Sequence, residues 1–345
     1  MKAIVYTKYG SADVLQLEEV EKPAPGDDEV LVKIRAAAAN PLDWHFMRAT
    51  PFFMRFISGL LKPKNKILGA DIAGQVEAVG KNVKQFRTGD EVYGDISRRG
   101  FAEYVCITET KLVLKPAKLS FDEAAAVPVA GLTALQCLRD QAQIQPGQKV
   151  LINGAAGGVG TFAVQIAKFF GAEVTGVCST RNLDMVCSIG ADQVIDYTSE
   201  DFTQNGQYYD LILDNVGNRS VADIKRILDP NGIYLLNGYS PVLMLRLMLQ
   251  SGIVKTRGQT MRNAEVAKAN QRDLEFLKEI LDAGKVKPVI DRSYPLGEVA
   301  EAIRYLEEGH ARGKVVITVY HNKAQHLQCD TYPNTRDGHE FLTEN

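Results

Sequence analysis

The chain has 345 residues, of which 45% are hydrophobic and 24% are charged, and its formal net charge is −2. This length allows two domains, and the composition is that of an ordinary globular protein. The nearly balanced charge excludes a general attraction of the whole chain to nucleic acid or to an anionic membrane surface.

Residues 1–120 are predicted to be rich in β-strands. Short apolar runs at 30–34 (VLVKI), 72–79 (IAGQVEAV) and 102–107 (AEYVCI) are separated by Gly, Pro and Asp, which favour turns. The opening segment 1–6 (MKAIVY) also reads as a strand and lacks the basic and apolar regions of a secretory signal. We therefore expect a β-rich region and a cytoplasmic location.

Residues 44–61 interrupt this pattern, because their apolar side chains do not alternate as they would in a strand. The run contains Trp44, Phe46, Phe52, Phe53, Met54, Phe56 and Ile57. Two interpretations are open: a packed core segment, or an apolar loop over a ligand cleft.

After about residue 120 the sequence changes to an alternation of helices and strands. Asp122 precedes EAAAV and is predicted to cap a short helix, and 129–139 continues with helical spacing. Strands are predicted at 149–152, 173–178, 194–196, 209–214 and 232–237, with helices at 160–170 and 182–189 between them. This order predicts an α/β fold with a parallel sheet and right-handed crossovers.

Residues 241–253 (PVLMLRLMLQSGI) are apolar, but they are fewer than the roughly 20 residues of a spanning helix, and Arg246 interrupts them. We expect no spanning segment and favour a buried or interface helix, with membrane attachment as the alternative. Further helices are predicted near 271–283 and 297–307, and a final strand at 315–319.

Two sets of possible metal or redox residues favour simpler interpretations. His321, His326 and His339 are spaced irregularly in the polar segment beyond residue 320, so a loosely packed tail is favoured over a metal site. The five cysteines, Cys106, Cys137, Cys178, Cys187 and Cys329, contain no C-x-x-C pair. We expect buried, reduced thiols rather than disulfides.

The segment 153–160 (NGAAGGVG) lies between a predicted strand and a predicted helix. Glycines there let the backbone approach a pyrophosphate, and the helix N-terminus offers unpaired N–H groups. Ala155 takes the place of the first glycine of G-x-G-x-x-G, which a dinucleotide site tolerates if that residue has ordinary backbone angles. A tight turn without a ligand is the alternative.

The end of the second predicted strand distinguishes NAD from NADP. NAD sites carry a carboxylate about 20 residues after the glycine motif, which binds the ribose 2′-OH. Here Cys178 is followed by Ser179, Thr180 and Arg181, which can donate to a 2′-phosphate. The sequence predicts NADPH as the cofactor.

These motifs resemble those of the medium-chain dehydrogenase/reductase superfamily, in its zinc-free, quinone oxidoreductase-like branch. The similar segments are 1–6, 40–43 (NPLD), 68–80 (LGADIAGQVEAVG), 89–93 (GDEVY), 130–134 (AGLTA), 155–160 (AAGGVG) and 313–316 (GKVV). The resemblance implies a GroES-like, β-rich catalytic domain with an inserted Rossmann domain, which is a doubly wound parallel sheet. The bounds would be 1–122 and 266–320 for the first, 123–265 for the second, and 321–345 for a polar tail.

The resemblance also bears on metal and chemistry. Zinc-dependent relatives hold catalytic zinc with a cysteine and a histidine where this chain has Asn40 and Ala70, and the cysteine-rich structural zinc lobe is missing. We therefore expect no metal. The implied reaction is hydride transfer from NADPH to a small electrophile, a quinone or an α,β-unsaturated carbonyl, and the implied assembly is a homodimer.

Residues of the family's cofactor site map onto the following positions: Asn40, Thr133, Ala156, Gly157, Gly158, Val159, Ser179, Thr180, Arg181, Tyr197, Asn215, Gly238 and Lys314. The candidates for a catalytic role are Asn40, Asp43, His45 and Tyr239, and none is identified as a general acid.

Two other functions are open. The chain could be an enoyl-thioester reductase in which 46–61 and 241–253 enclose a long acyl tail. It could also be a non-catalytic NADP-binding interaction protein.

Overall fold

The fold is that of a computed structural model, which describes residues 1–52, 54–238 and 258–321. Strands β1 to β15 span Lys2–Val5, Gln16–Glu19, Glu29–Ala39, Asp71–Val79, Glu91–Asp95, Tyr104–Thr108, Val113–Leu114, Lys149–Asn153, Glu173–Cys178, Gln193–Asp196, Tyr209–Asp214, Leu228–Leu236, Thr260–Asn263, Ile290–Pro295 and Lys314–Thr318. Helices α1 to α9 span Pro41–Arg48, Met54–Ser58, Phe121–Ala125, Pro128–Leu135, Gly158–Phe169, Leu183–Ser188, Val221–Ile227, Gln271–Asp282 and Val299–Glu307.

The first large sheet is mixed and combines strands from both ends of the chain. Its order is β14-β15-β3-β4-β5-β7, and β6 also pairs with β3. The long strand β3 ends in four buried alanines, of which Ala36 belongs to one hydrophobic core and Ala37 and Ala39 to another. Small side chains on both faces let β3 lie between the two cores.

The second sheet has six parallel strands in the order β10-β9-β8-β11-β12-β13. Numbered from β8, this is the order 3-2-1-4-5-6 of a dinucleotide-binding fold. The predicted parallel α/β sheet is therefore confirmed. The strand order reverses between β8 and β11, and ligands bind at the carboxyl ends of the strands at such a point.

The two sheets meet along a shared core. Helices α4, α5 and α8 contribute to a cluster that also contains Tyr93 of β5 and Val316 of β15. The Tyr93 hydroxyl donates to the carbonyl of Leu274 in α8 at 2.9 Å. At the N-terminus of α5, Gly157 forms an isolated parallel bridge with Gly313. The C-terminal segment thus runs beside the glycine turn.

Two local predictions are wrong. Asp122 does not cap α3: Ser120 is the N-cap and accepts the Glu123 N–H at 3.2 Å, while the Glu123 carboxylate accepts the Ser120 N–H at 2.8 Å. In a capping box the N-cap lies three positions before the residue that carries the carboxylate, and Asp122 lies only one position before Glu123. Cys187 is exposed, although Cys106, Cys137 and Cys178 are buried as expected.

Residues 44–61 contain both buried and exposed apolar side chains, so they are not simply a packed core segment. They contain the end of α1 and all of α2; Met47 and Met54 are buried, whereas Phe52 and Phe56 are exposed. Among the residues that the structure describes, no helix is long and apolar enough to cross a membrane. The predictions for Tyr239, for 241–253, and for Cys329, His326 and His339 lie outside the described residues.

Candidate cofactor and catalytic site

The glycine turn between β8 and α5 has the backbone geometry that a pyrophosphate site requires. Gly154 has a φ of +77°, so it makes the turn that is strained for residues with a Cβ, while Ala155 keeps an ordinary negative φ. Gly157 is the N-cap of α5, with φ −80° and ψ 174°. The first N–H groups of α5 have no intrahelical acceptors and carry the positive end of the helix dipole.

The glycines of the turn serve different purposes. A Cβ on Gly160 would lie 2.1 Å from the Gly154 carbonyl oxygen, so this position needs glycine for helix–strand packing. A Cβ on Gly157 would meet only that same oxygen, at 3.5 Å. The space beside Gly157 is therefore a cradle that a side chain would fill, and it fits a pyrophosphate.

The end of β9 carries the residues predicted to bind a 2′-phosphate. Ser179 is half-buried and Thr180 and Arg181 are exposed, as a phosphate site requires. The Thr180 hydroxyl donates to a carboxylate oxygen of Asp196 at 2.6 Å. This bond lowers the pKa of Asp196. A negative charge that the sequence analysis missed thus lies beside the predicted phosphate site.

Two further contacts define this end of the cleft. The Arg181 side chain extends from the end of β9 to the residues before β15 of the mixed sheet, where Nη2 donates to the His310 carbonyl at 2.9 Å. Tyr197 is 46% exposed, and its N–H bonds to the Cys178 carbonyl at 3.0 Å, which holds it next to Ser179. The predicted adenosine contacts therefore lie together at the ends of β9 and β10.

At the opposite end, Asn40, Asp71 and Lys314 form a buried polar cluster. The Lys314 ammonium lies 2.6 Å from Asn40 Oδ1 and 3.1 Å from Asp71 Oδ2. The Asn40 amide donates to the same Asp71 oxygen at 3.0 Å and to the Ala38 carbonyl at 3.2 Å. Asp71 is fully buried and Lys314 is 3% exposed, so each charge depends on the other.

This cluster connects the mixed sheet to the cofactor helices. The second Asp71 oxygen accepts the Val129 N–H at 2.8 Å, at the N-terminus of α4. Lys314 packs against α5, where a Cβ on Gly158 would lie 3.2 Å from Lys314 Cδ. Thr133 follows one turn later on α4, and its hydroxyl donates to the Val129 carbonyl at 2.7 Å. Asp71 thus links Asn40 and Lys314 to α4, the helix that also carries Thr133.

Asp43 is fixed by the start of α1. Its carboxylate accepts the Asn40 N–H at 2.8 Å and the Gly69 N–H at 3.0 Å, which makes it the N3 residue of a capping box. Burial raises the pKa of Asp43 to about 7, against these two N–H bonds, which lower it. Both carboxylate oxygens of Asp43 accept backbone N–H groups, so Asp43 holds the backbone of Asn40 and Gly69 in position.

His45 lies at the end of α1. Its ring stacks on Trp44 with centroids 3.7 Å apart, and Nδ1 lies 2.7 Å from the Thr50 carbonyl, to which it can only donate. Burial lowers the pKa of His45. Burial thus favours the neutral ring over the opposite effect of the bond to Thr50, which raises the pKa.

Asp214 organises the switch point of the parallel sheet. One of its oxygens accepts the Asn153 amide and the N–H groups of Val216 and Gly217 at 2.8–2.9 Å. The Asn215 amide donates to the Asn153 carbonyl at 3.2 Å, and a Cβ on Gly238 would lie 2.6 Å from Asn215. The predicted contacts at Asn215 and Gly238 therefore lie next to the glycine turn.

Three buried or paired carboxylates, Asp71, Asp196 and Asp214, were not assigned a role from the sequence. The available signal was weak: each lies at an end of an apolar strand. Within 1–52, 54–238 and 258–321, no group of three or more His, Cys, Asp or Glu side chains is placed to hold a metal ion.

Known proteins resemble the chain in sequence and in fold. Family models described as "Alcohol dehydrogenase GroES-like domain" and "Zinc-binding dehydrogenase" match residues 26–117 and 189–317. The chain is 40% identical to the 2-methylene-furan-3-one reductase of Solanum lycopersicum, over 92% of this chain and 79% of that protein. It is 36% identical to the chloroplastic NADPH-dependent alkenal/one oxidoreductase of Arabidopsis thaliana, with the same coverage.

Among solved structures, the quinone oxidoreductase from Coxiella burnetii superposes with a TM-score of 0.80 at 32% identity. The superposition covers 93% of this chain and 99% of that one. The sheet order, the glycine turn and these similarities agree. The chain belongs to the medium-chain dehydrogenase/reductase superfamily, in its quinone oxidoreductase-like branch.

Proposed function

We propose that this protein is an NADPH-dependent oxidoreductase that reduces quinones or α,β-unsaturated carbonyl compounds. The observation that carries the proposal is the cradle at Gly157, which lies beside the Asn40–Asp71–Lys314 cluster and between two sheets. The named relatives, an enone-type reductase and an alkenal/one oxidoreductase, support the same substrate class.

When bound, NADPH supplies the hydride, and the chain's own residues bind and orient the reactants. The N–H groups of α5 would hold the pyrophosphate, and Arg181 would hold the 2′-phosphate. Asn40 is fixed by Lys314 on one side and by the α1 capping box on the other, so its amide is held in one orientation. Preorganised groups of this kind lower the barrier because they need not reorient during reaction.

The donor set favours a substrate that is already electrophilic. Where zinc-dependent relatives carry zinc ligands, Asn40 has its amide groups engaged by Asp71, Ala38 and Lys314, and Ala70 has no donor at all. A conjugated carbonyl accepts hydride at its β-carbon and delocalises the charge onto oxygen, so it does not need a Lewis acid. We therefore propose that the protein works without zinc.

The test measures NADPH oxidation with quinones, enones, enals and enoyl thioesters. A parallel assay measures NADP⁺ reduction with simple alcohols. With NADPH deuterated at C4, we expect turnover of enones or quinones and, for enones, deuterium at the β-carbon of the product. Preferred turnover of enoyl thioesters would identify the thioester reductase instead. Tight NADPH binding without turnover of any electrophile would identify the interaction protein.

Three expectations remain proposals: a homodimer, a cytoplasmic location, and the domain bounds 1–122 with 266–320 and 123–265. Sedimentation equilibrium, cell fractionation and limited proteolysis would test them in turn. The location needs this test because the Arabidopsis relative is a chloroplastic protein.

A further inference from the structure

Residues 51–66, here called the 51–66 segment, present a group of exposed apolar side chains. Phe52 and Phe56 expose 64% and 70% of their surface, and Leu60 and Leu61 expose 56% and 89%. The two phenylalanine rings contact each other edge to face at 6.1 Å. Contiguous apolar surface of this kind marks a binding or membrane site in many proteins.

The same part of the chain is strongly basic. From residue 44 to residue 70 there is no Asp or Glu, whereas Arg48, Arg55, Lys62, Lys64 and Lys66 are all positive. Of these five, only Arg48 forms an ion pair within the described part of the chain, with Glu307. Arg55 lies over the rings of Tyr9 and Phe52. The three lysines are exposed and can meet negative charges on a partner, even though the whole protein has a net charge of −2.

The exposure is built into the fold. The Tyr9 hydroxyl donates to the Gly59 carbonyl at 2.5 Å, and the Lys64 N–H bonds to the Ser58 carbonyl at 2.8 Å. Met54 and Ser58 face inward, at 8% and 1% exposure. Gly59, with a φ of +123°, makes the turn after α2, and a Cβ there would lie 3.3 Å from Lys64 Cγ, so the lysine-bearing stretch folds back on the end of α2.

We propose that the 51–66 segment docks this protein on an anionic lipid surface. Phe52, Phe56, Leu60 and Leu61 would enter the boundary between headgroups and acyl chains, and the lysines would contact the anionic headgroups. An apolar face flanked by lysines and arginines is what interfacial binding requires. Nucleic acid would satisfy the lysines but would leave the exposed aliphatic side chains without an apolar environment.

The location of the segment gives the docking a consequence. It follows α1, whose N-cap Asn40 is buried and bonded to Lys314 beside the glycine turn, and α1 is about 12 Å long at 1.5 Å per residue. Docking through this segment would therefore bring one side of the cleft close to the lipid surface. This inference concerns where the protein works, and it does not depend on which electrophile it reduces.

The experiment is co-sedimentation of the full chain with vesicles of phosphatidylcholine, with and without phosphatidylserine, at low and high salt. We expect binding only with phosphatidylserine, and release at high salt. Each lysine near an anionic surface contributes about a fivefold factor in affinity, so K62Q/K64Q/K66Q should bind roughly 100-fold more weakly. Leu61→Ser should also weaken binding, through the lost apolar contact.

Matched controls separate this segment from a general effect. K84Q/K285Q/K287Q removes the same charge from exposed lysines elsewhere, and Leu114→Ser removes an exposed leucine from β7. These variants should bind vesicles like the wild type, and all variants should keep the wild-type unfolding temperature. The proposal is overturned if the wild type ignores phosphatidylserine vesicles. It is equally overturned if both lysine triples weaken binding alike, or if Leu61→Ser alters only substrate KM, which would make the segment a substrate gate.

Discussion

Replacing Lys314 with Met should remove a large part of the protein's stability. The Asp71 carboxylate accepts three hydrogen bonds, from Val129, Asn40 and Lys314, and only Lys314 brings a positive charge. Methionine keeps most of the apolar stem that packs against Gly158 but leaves a buried carboxylate without a countercharge. Breaking a buried pair in this way costs about 3–5 kcal/mol, out of a total of about 5–15 kcal/mol for a folded domain.

A double-mutant cycle isolates the pair. Asp71→Asn removes the other charge and keeps an oxygen for the Val129 N–H, but it leaves the Lys314 ammonium buried and unpaired. The double variant restores charge balance, so its loss should be smaller than the sum of the single losses by about 1–3 kcal/mol. The measurement is urea unfolding of the cofactor-free proteins, with the slope of the transition unchanged. Strictly additive losses would refute the reasoning.

Cofactor binding gives an independent measure of the same cluster. Lys314 packs beside Gly158, the first residue of α5. Lys314→Met should therefore raise the Kd for NADPH, measured on folded protein without denaturant. The exposed Lys287→Met is the matched control and should leave that Kd at its wild-type value. An unchanged Kd in Lys314→Met, with stability lost, would make the cluster structural only.

The remaining predictions concern the cofactor site and metal. Arg181→Ala should weaken NADPH by about tenfold, the lower end of what a charge-assisted bond supplies, because Arg181 is exposed; NADH should be little affected, and equal losses would contradict the assignment. Asp196→Asn removes a negative charge beside the 2′-phosphate and should raise the ratio of kcat/KM for NADPH over NADH; a lower ratio would mean that Thr180 needs its partner. Gly157→Val should fold normally but lose NADPH binding by orders of magnitude, whereas Gly160→Ala should lower the unfolding temperature, because its Cβ meets a carbonyl at 2.1 Å. Purified protein should contain far less than one zinc per chain by mass spectrometry, and chelators should leave activity unchanged; stoichiometric zinc would reopen alcohol oxidation.

Local patterns predicted most of the α/β region. Strands at 173–178 and 209–214 have the observed bounds, because each is a short, largely buried segment rich in apolar residues and bounded by turn residues. The turn at 153–160 was also predictable, since Gly154 supplies the positive φ and Ala155 needs none. The strand order 3-2-1-4-5-6 was not predicted, because periodicity says nothing about which strands are neighbours.

The polar contacts of the site could not be predicted in this way. Asp71 and Lys314 are 243 positions apart and meet because β4 and β15 both pair with β3 in the mixed sheet. Arg181 and His310 are 129 positions apart and meet only because the two sheets pack together. Asp196 faces Thr180 because β9 and β10 pair in parallel with Cys178 opposite residue 196. Parallel strands are joined by a long crossover and not by a tight turn, so no local turn motif in the sequence indicates this register.

The segment 310–314 connects both ends of the cofactor cleft. Its carbonyl at His310 accepts from Arg181, Gly313 bridges to Gly157, and Lys314 holds Asn40. A guanidinium has five N–H donors, so Arg181 can keep the bond to His310 while it binds a 2′-phosphate. An ammonium at position 181 would have the charge but not the planar fork that serves two acceptors at once. The predicted 2′-phosphate site at Arg181 and the polar cluster at Asn40 are therefore both bonded to one short stretch of chain, and their geometries depend on each other.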